Sequence, residues 1–169
     1  MKLEVVVLAA GKGTRMRSAL PKVLHLVAGK PMLSHVLESA QKLSPDHIHV
    51  VCGHGAAQVR EYFSHDPTIN WIFQAEQMGT GHAVCQALPD ISTQSTVLVL
   101  YGDIPLILPG TLQRLTDEAR DGSLALLSAS FDNPHGYGRV VRDSDNAICA
   151  IVEEADASSD QRKISEINT

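Results

Sequence analysis

Apolar positions along this chain come in two rhythms that take turns. Short, nearly unbroken runs recur at Leu3–Ala9, His47–Cys52, Ile69–Gln74, Val97–Tyr101 and Leu124–Ser130. Their Val, Ile and Leu content suits strands covered on both faces. Between the runs, apolar residues return at helical spacing. Met32, Leu33, Val36, Leu37, Ala40 and Leu43 would line one buried face of a helix whose first turn holds Pro31. Further helices are predicted from about Gly55 to Phe63, from Gly81 to Leu88, and from near Pro109 with Leu112, Leu115 and Ala119 on one side. Strands alternating with helices predict an α/β fold, a mostly parallel sheet with helices on its faces.

After Ser130 the rhythm changes. Gly136–Val141 and Ala147–Val152, separated by Asp143-Ser144-Asp145-Asn146, read as a hairpin, and the polar tail Asp156–Ser165 as a loop with a helical turn. No repeat, low-complexity tract or linker interrupts the chain, so a single domain is expected.

Composition narrows the function classes. The chain has 169 residues, 14 basic and 19 acidic, for a net charge of −5. No global positive field favours nucleic acid or an anionic membrane, so any phosphate site must be local. Cys52, Cys85 and Cys149 are too far apart for metal-ligand or C-x-x-C spacing and are expected to be reduced core residues. The apolar start is too short for a signal peptide, and nothing approaches the ~20 apolar residues of a membrane span. A cytoplasmic protein is the expectation.

The candidate chemistry lies just past the strands, where open α/β sheets bind ligands. The first strand empties into Leu8-Ala9-Ala10-Gly11-Lys12-Gly13-Thr14-Arg15-Met16. Its glycines let backbone N–H groups approach an anion, and Lys12 and Arg15 add charge. A dinucleotide fingerprint needs Gly where Met16 stands, and a P-loop needs Gly-Lys-Ser/Thr further on, so both are excluded. The third strand ends in Gln74-Ala75-Glu76-Gln77-Met78-Gly79-Thr80-Gly81, where Gln74 offers an amide able to pair with a planar ring. The fourth ends in Tyr101-Gly102-Asp103, a carboxylate placed to hold Mg²⁺ beside phosphates. Lys22 could reach a phosphate from the segment after the first loop. The eight histidines, His49, His54 and His82 among them, show no metal spacing and read as structural or surface residues. No nucleophile–base arrangement emerges from spacing.

Taken in order, Leu8–Met16, Leu20-Pro21-Lys22-Val23-Leu24-His25, Gln74–Ala83, Tyr101–Leu106, Gly136-Tyr137-Gly138-Arg139 and Glu166-Ile167-Asn168-Thr169 resemble the sugar-nucleotide pyrophosphorylases over the whole chain. They are most similar to the bacterial bifunctional uridylyltransferase–acetyltransferase branch of that family. The resemblance implies a Rossmann-like nucleotide-diphospho-sugar transferase fold, incomplete at the C-terminus, with residues 1–169 forming the N-terminal part of a uridylyltransferase domain. It implies formation of UDP-N-acetylglucosamine and pyrophosphate from UTP and N-acetylglucosamine 1-phosphate, with Mg²⁺ as cofactor, for cell-wall precursors.

Carried over residue by residue, the resemblance implies that Leu8, Ala9, Ala10, Gly11 and Gln74 contact the uracil and ribose, with Gly79 and Thr80 close to the base. Gly13, Arg15 and Lys22 would handle the triphosphate, Arg15 and Lys22 being the catalytic pair. Tyr101, Gly102 and Asp103 would bridge nucleotide and sugar, Asp103 also binding Mg²⁺. Gly138, Glu153 and Asn168 would hold the sugar, with Glu153 preferred to Glu154. The family's chain continues past Thr169. Its remaining strands, a second Mg²⁺-binding Asn, and a left-handed β-helix bearing the acetyltransferase site and homotrimer contacts are therefore expected to be absent here, leaving this piece inactive alone with an exposed sheet edge. Thymidylyl- and cytidylyltransferases of the same fold, or a non-catalytic nucleotide-binding regulator, remain open as alternatives.

Overall fold

The computed structural model describes residues 2–11, 13 and 16–168, without the side chain of Asp121. They form two compact units, Met1–Ser123 and Leu124–Thr169, where the sequence suggested one domain.

The first unit runs β1 (Lys2–Ala9), β2 (Leu26–Val27), β3 (Lys30–Pro31), α1 (Met32–Gln41), β4 (His47–Cys52), α2 (Ala56–Tyr62), β5 (Ile69–Phe73), α3 (Thr80–Ala87), β6 (Ser95–Tyr101) and α4 (Pro109–Glu118). The strands and helices expected here lie within a residue or two of their predicted bounds. The β2–β3 hairpin, only two residues per strand, gave no sequence signal. Pro31 proves to cap α1 rather than enter its first turn.

β1 pairs in parallel with β4 on one side and β6 on the other, and β5 pairs in parallel with β4, giving the order β5-β4-β1-β6. The chain steps outward from β1 to β4 to β5 and then crosses back to the far side of β1. That reversal makes the carboxyl end of the β1–β6 pair the topological switch point, where such sheets open a crevice.

The faces follow from strand alternation. Val5, Val7 and Ala9 of β1 pack with Leu33, Val36, Leu37 and Ala40 of α1, Val59 of α2 and Leu112 of α4. Val6 points the other way and packs with Val51, Ile72 and, from α3, Ala83 and Ala87. Each Val or Leu so buried contributes about 1.5–3 kcal/mol. One polar cluster interrupts this core. Glu4 and His49 are each 2% exposed, with Glu4 Oε2 2.8 Å from His49 Nε2. The Ser92 N–H and the Ser95 hydroxyl donate to Glu4 Oε1 at 3.2 and 3.0 Å. Burial pushes the Glu4 carboxyl up, but the bonds from His49, Ser92 and Ser95 together outweigh it and hold it below the usual carboxylate range.

The second unit contains β7 (Ser128–Ser130), β8 (Arg139–Arg142), β9 (Ile148–Val152) and β10 (Glu166–Asn168), antiparallel in the order β7-β10-β8-β9. The predicted hairpin is β8–β9. Its turn is held by Asp143, whose Oδ1 accepts from the N–H groups of Asp145 (3.0 Å) and Ala147 (2.9 Å), with Asn146 at φ 64°. The predicted helical turn lies at Gln161–Lys163.

Among the described residues the strand foreseen at Leu124–Ser130 is present at Ser128–Ser130, where it pairs with β10; Leu124 is 91% exposed. It belongs to the antiparallel sheet. Of the three cysteines, all free, only Cys52 is in the core, where burial pushes its thiol up to about 12; Cys85 on α3 and Cys149 on β9 are exposed. Among the described residues no helix is long and apolar enough to cross a membrane.

Candidate functional site

The end of β1 and the end of β6 are clamped together. The Gly102 N–H donates to the Leu8 carbonyl at 2.9 Å, extending their pairing past Tyr101. A Cβ at Gly102 would lie 3.1 Å from that carbonyl and 3.3 Å from both Leu33 Cδ1 and Val23 Cγ1. Gly102 is therefore a closely packed, buried position between Tyr101 and Asp103, which line the cleft.

Beyond these strand ends lies a cleft of about 290 Å³. Leu8 and Ala9 at the end of β1 with Ala10 and Gly11 just past it, Gln74 and Gly79 from the loop after β5, Thr80 opening α3, and Tyr101 ending β6 with Asp103 just past it all line it, as does Lys22. These expected residues converge on one wall-to-wall site. Val23, Gln77 and Ala83 complete the lining and were not foreseen. Gln77 was legible in principle, since it sits in the same Gly-containing loop as Gln74. Its Nε2 donates to the Ala10 carbonyl at 2.7 Å and ties that loop to the end of β1.

Lys22 opens a short 3₁₀ turn, Lys22–Leu24, anchored by buried Val23 and Leu24. Its ammonium pairs with the Asp103 carboxylate, and both side chains keep about a third of their surface in solvent. Gly13 lies against Lys22. Its φ is +57°, and a Cβ there would fall 2.8 Å from Lys22 Cβ, so glycine is what lets the loop press against Lys22. Lys12, Thr14 and Arg15 lie outside the described residues.

Gln74 is 3% exposed, and its amide Nε2 is 2.9 Å from His82 Nδ1 and 3.5 Å from the Gly79 carbonyl. No side chain caps α3, which starts at Thr80 on the cleft wall. The cleft thus offers small apolar walls, an amide, an uncapped helix start and one cation–carboxylate pair. That set suits a flat polar ring joined to an anionic chain. Among the described residues no group of three or more His, Cys, Asp or Glu is placed to hold a metal. A single carboxylate such as Asp103 still fits Mg²⁺, which is often held by one or two carboxylates together with substrate phosphates.

Within the second unit, Gly138 and Asn168 adjoin. The Asn168 N–H donates to the Gly138 carbonyl at 3.2 Å, and a Cβ at Gly138 would collide with Asn168 Oδ1. The two neighbouring glutamates have parted roles. Glu154 Oε2 accepts from Arg139 Nη2 at 2.5 Å and from the Gly136 N–H at 3.3 Å. Arg139, whose side chain is 1% exposed, holds the Glu154 carboxyl below the usual range against the opposing effect of burial. Glu153 is exposed and makes no such bond among the described residues.

Residues 5–165 match the family model of the MobA-like NTP transferase domain. The chain belongs to that family. Across all 169 residues it is 59% identical to the bifunctional protein GlmU of Pseudomonas paraeruginosa, and across 167 residues 53% identical to GlmU of Marinobacter nauticus. In each case it spans 37% of the relative's length, corresponding to the N-terminal part of GlmU. Among solved structures, a Bacillus anthracis protein described as a glucose-1-phosphate thymidylyltransferase superposes with a TM-score of 0.75 at 19% identity, over 99% of this chain and 69% of that one. HddC from Yersinia pseudotuberculosis, complexed with GMP-PN, gives 0.69 at 24%, over 89% and 69%. At these identities the two structures speak for the fold alone, and it is the fold of an NTP transferase.

Proposed function

We propose that the first unit binds UTP in this cleft and that the chain serves uridylyl transfer to N-acetylglucosamine 1-phosphate, giving UDP-N-acetylglucosamine and pyrophosphate in the cytoplasm. The observation that carries this reading is the convergence of Leu8–Gly11, Gln74–Thr80, Tyr101, Asp103 and Lys22 on one cleft at the switch point of an NTP transferase sheet. The likeness to GlmU supplies the choice of base and sugar.

In this reading Leu8–Gly11 and Gln74 hold uracil and ribose, with Gly79 and Thr80 against the base. Lys22, seated by Gly13, takes the phosphates together with Arg15. A phosphate oxygen of the sugar phosphate is already anionic. It forms the new bond to the α-phosphorus while the bond to the bridging oxygen breaks, and pyrophosphate leaves with that oxygen. No general base is required, and the residues act by alignment and by neutralising charge. Asp103, with Lys22 turned to the phosphates, would hold Mg²⁺, which supplies further charge neutralisation when bound. Gly138, Glu153 and Asn168 are assigned to the sugar, Glu153 rather than Glu154 because Arg139 already engages the latter.

Calorimetric titration with UTP, CTP, dTTP and UDP-N-acetylglucosamine, with and without Mg²⁺, tests the reading. Saturable binding of UTP and UDP-N-acetylglucosamine that Gln74→Ala weakens is expected. Absence of UTP binding, or equal binding of all three triphosphates, would overturn it.

A further inference from the structure

We infer that His82, which does not line the cleft, sets the cleft's choice of pyrimidine by fixing which end of the Gln74 amide faces the ligand. This rests on the reading that the nucleotide base lies against Gln74.

A glutamine amide has two ends of nearly equal size and opposite hydrogen-bonding sense, so its selectivity depends on what holds it from behind. For Gln74 the Gly79 carbonyl and His82 supply that backing. The Gly79 carbonyl, 3.5 Å away, can only accept, and so requires the NH₂ end. His82 Nδ1, at 2.9 Å, accepts from the same NH₂ when the imidazole carries its proton on Nε2. That proton points at Gln86, whose Nε2 is placed 3.2 Å from His82 Nε2; turning the Gln86 amide over brings its oxygen to that position to accept the proton. The chain Gln74–His82–Gln86 then closes with every member in one sense. Gln74 is left to present Oε1, which has no donor among the described residues and is not a fully buried unpaired atom.

An acceptor at that position asks for a donor on the base. The ring N3 of uracil or thymine carries a hydrogen, whereas N3 of cytosine is itself an acceptor and would leave two oxygen and nitrogen lone pairs opposed. Sites built around such a bond reject the mismatched analogue strongly, because the buried group is left unpaired. If His82 lost its acceptor, the Gln74 amide could turn over, and its NH₂ would then suit cytosine. His82 is thus a positioning residue, and its signature is a change in discrimination rather than a general loss of binding.

The test compares UTP with CTP in competition binding to the unaltered protein, to His82→Leu and to His82→Asn, whose amide oxygen can replace Nδ1 as acceptor. The UTP preference is expected to fall about tenfold or more in His82→Leu and to stay within about threefold in His82→Asn. An unchanged preference in folded His82→Leu overturns the inference and leaves the uridine site standing. A protein with no UTP preference at the outset instead removes the base-binding reading itself. Should His82→Leu fail to fold, nitrogen NMR of the unaltered protein decides the matter: a proton on Nε2 and a bare Nδ1 are expected, and a proton on Nδ1 sinks the proposal.

Discussion

The two units of this chain hold together by different means. In Met1–Ser123 the four long strands are parallel, and Val5, Val6, Val7, Leu33, Val36 and Val50 have no exposed surface at all. In Leu124–Thr169 the fully enclosed apolar residues are few, chiefly Val140 and Ile167, and charge pairs do much of the tying. Arg139 reaches Glu154, and Arg142 grips Glu166 with both Nε and Nη2 at 2.8 Å. The contrast teaches that the first unit is specified by apolar area and the second by a handful of directed polar bonds. It also separates their sensitivities, since burial responds to volume whereas charge pairs respond to pH and to loss of a partner.

The largest expected effect concerns the first unit's chemistry. On the proposed uridylyl transfer, Lys22→Ala should lower turnover about 10²–10³-fold, the scale for one lost transition-state contact. Pyrophosphate release at a near-normal rate would take Lys22 out of the catalytic set and weaken the claim that the chemistry sits in this unit. For stability, Leu33→Ala should cost about 2–5 kcal/mol by denaturant titration, because Leu33 is wholly enclosed between α1 and the sheet. A cost under 1 kcal/mol would mean the parallel core is not the stabilising element it looks to be.

In the second unit, Arg139→Ala should cost about 1–3 kcal/mol by removing the donor that Glu154 and the Tyr137 carbonyl both use. Amide exchange at Val140 and Ile167 should quicken more than at Val5 or Val50, and an equal change everywhere would erase the distinction between the units. Acid should expose the same difference. Arg142 and the Ser128 hydroxyl hold the Glu166 carboxyl down to about 2, from an ordinary value near 4.5. Its folded form is the stronger acid, so the stabilisation is present above the ordinary value and is lost as pH falls from about 4.5 toward 2. Exchange at β10 amides should accelerate over that window, and Glu166→Gln should flatten the dependence. The smallest effect belongs to the exposed pair Lys30–Glu38, where Glu38→Gln should change stability by no more than about 0.5 kcal/mol. A larger loss there would show that surface charge matters to the first unit as well.

Legibility in the sequence follows the same divide. β1 and β4 announce themselves as apolar runs because both faces are covered, and the unit's helices as stripes because one face is. In the second unit β10 is three residues long, mixes Glu, Ile and Asn, and carries no periodicity to read. The apolar run at Leu124–Leu127 looks like a strand, yet Leu124 is 91% exposed. The glutamates at 153 and 154 are interchangeable as letters, and only Arg139 tells them apart.

Local pattern alone was enough to determine the alternation of strand and helix, the glycine-bearing loop after β1, and the positions just past each strand where chemistry belongs. These depend on backbone preference and burial over a few residues. Tertiary structure decided what meets what: Lys22 with Asp103 across 81 residues, Gln77 with Ala10 across 67, and Gly102 with the Leu8 carbonyl. Such pairings arise when separate strands reach the same edge of the sheet, and no short stretch of sequence contains both partners.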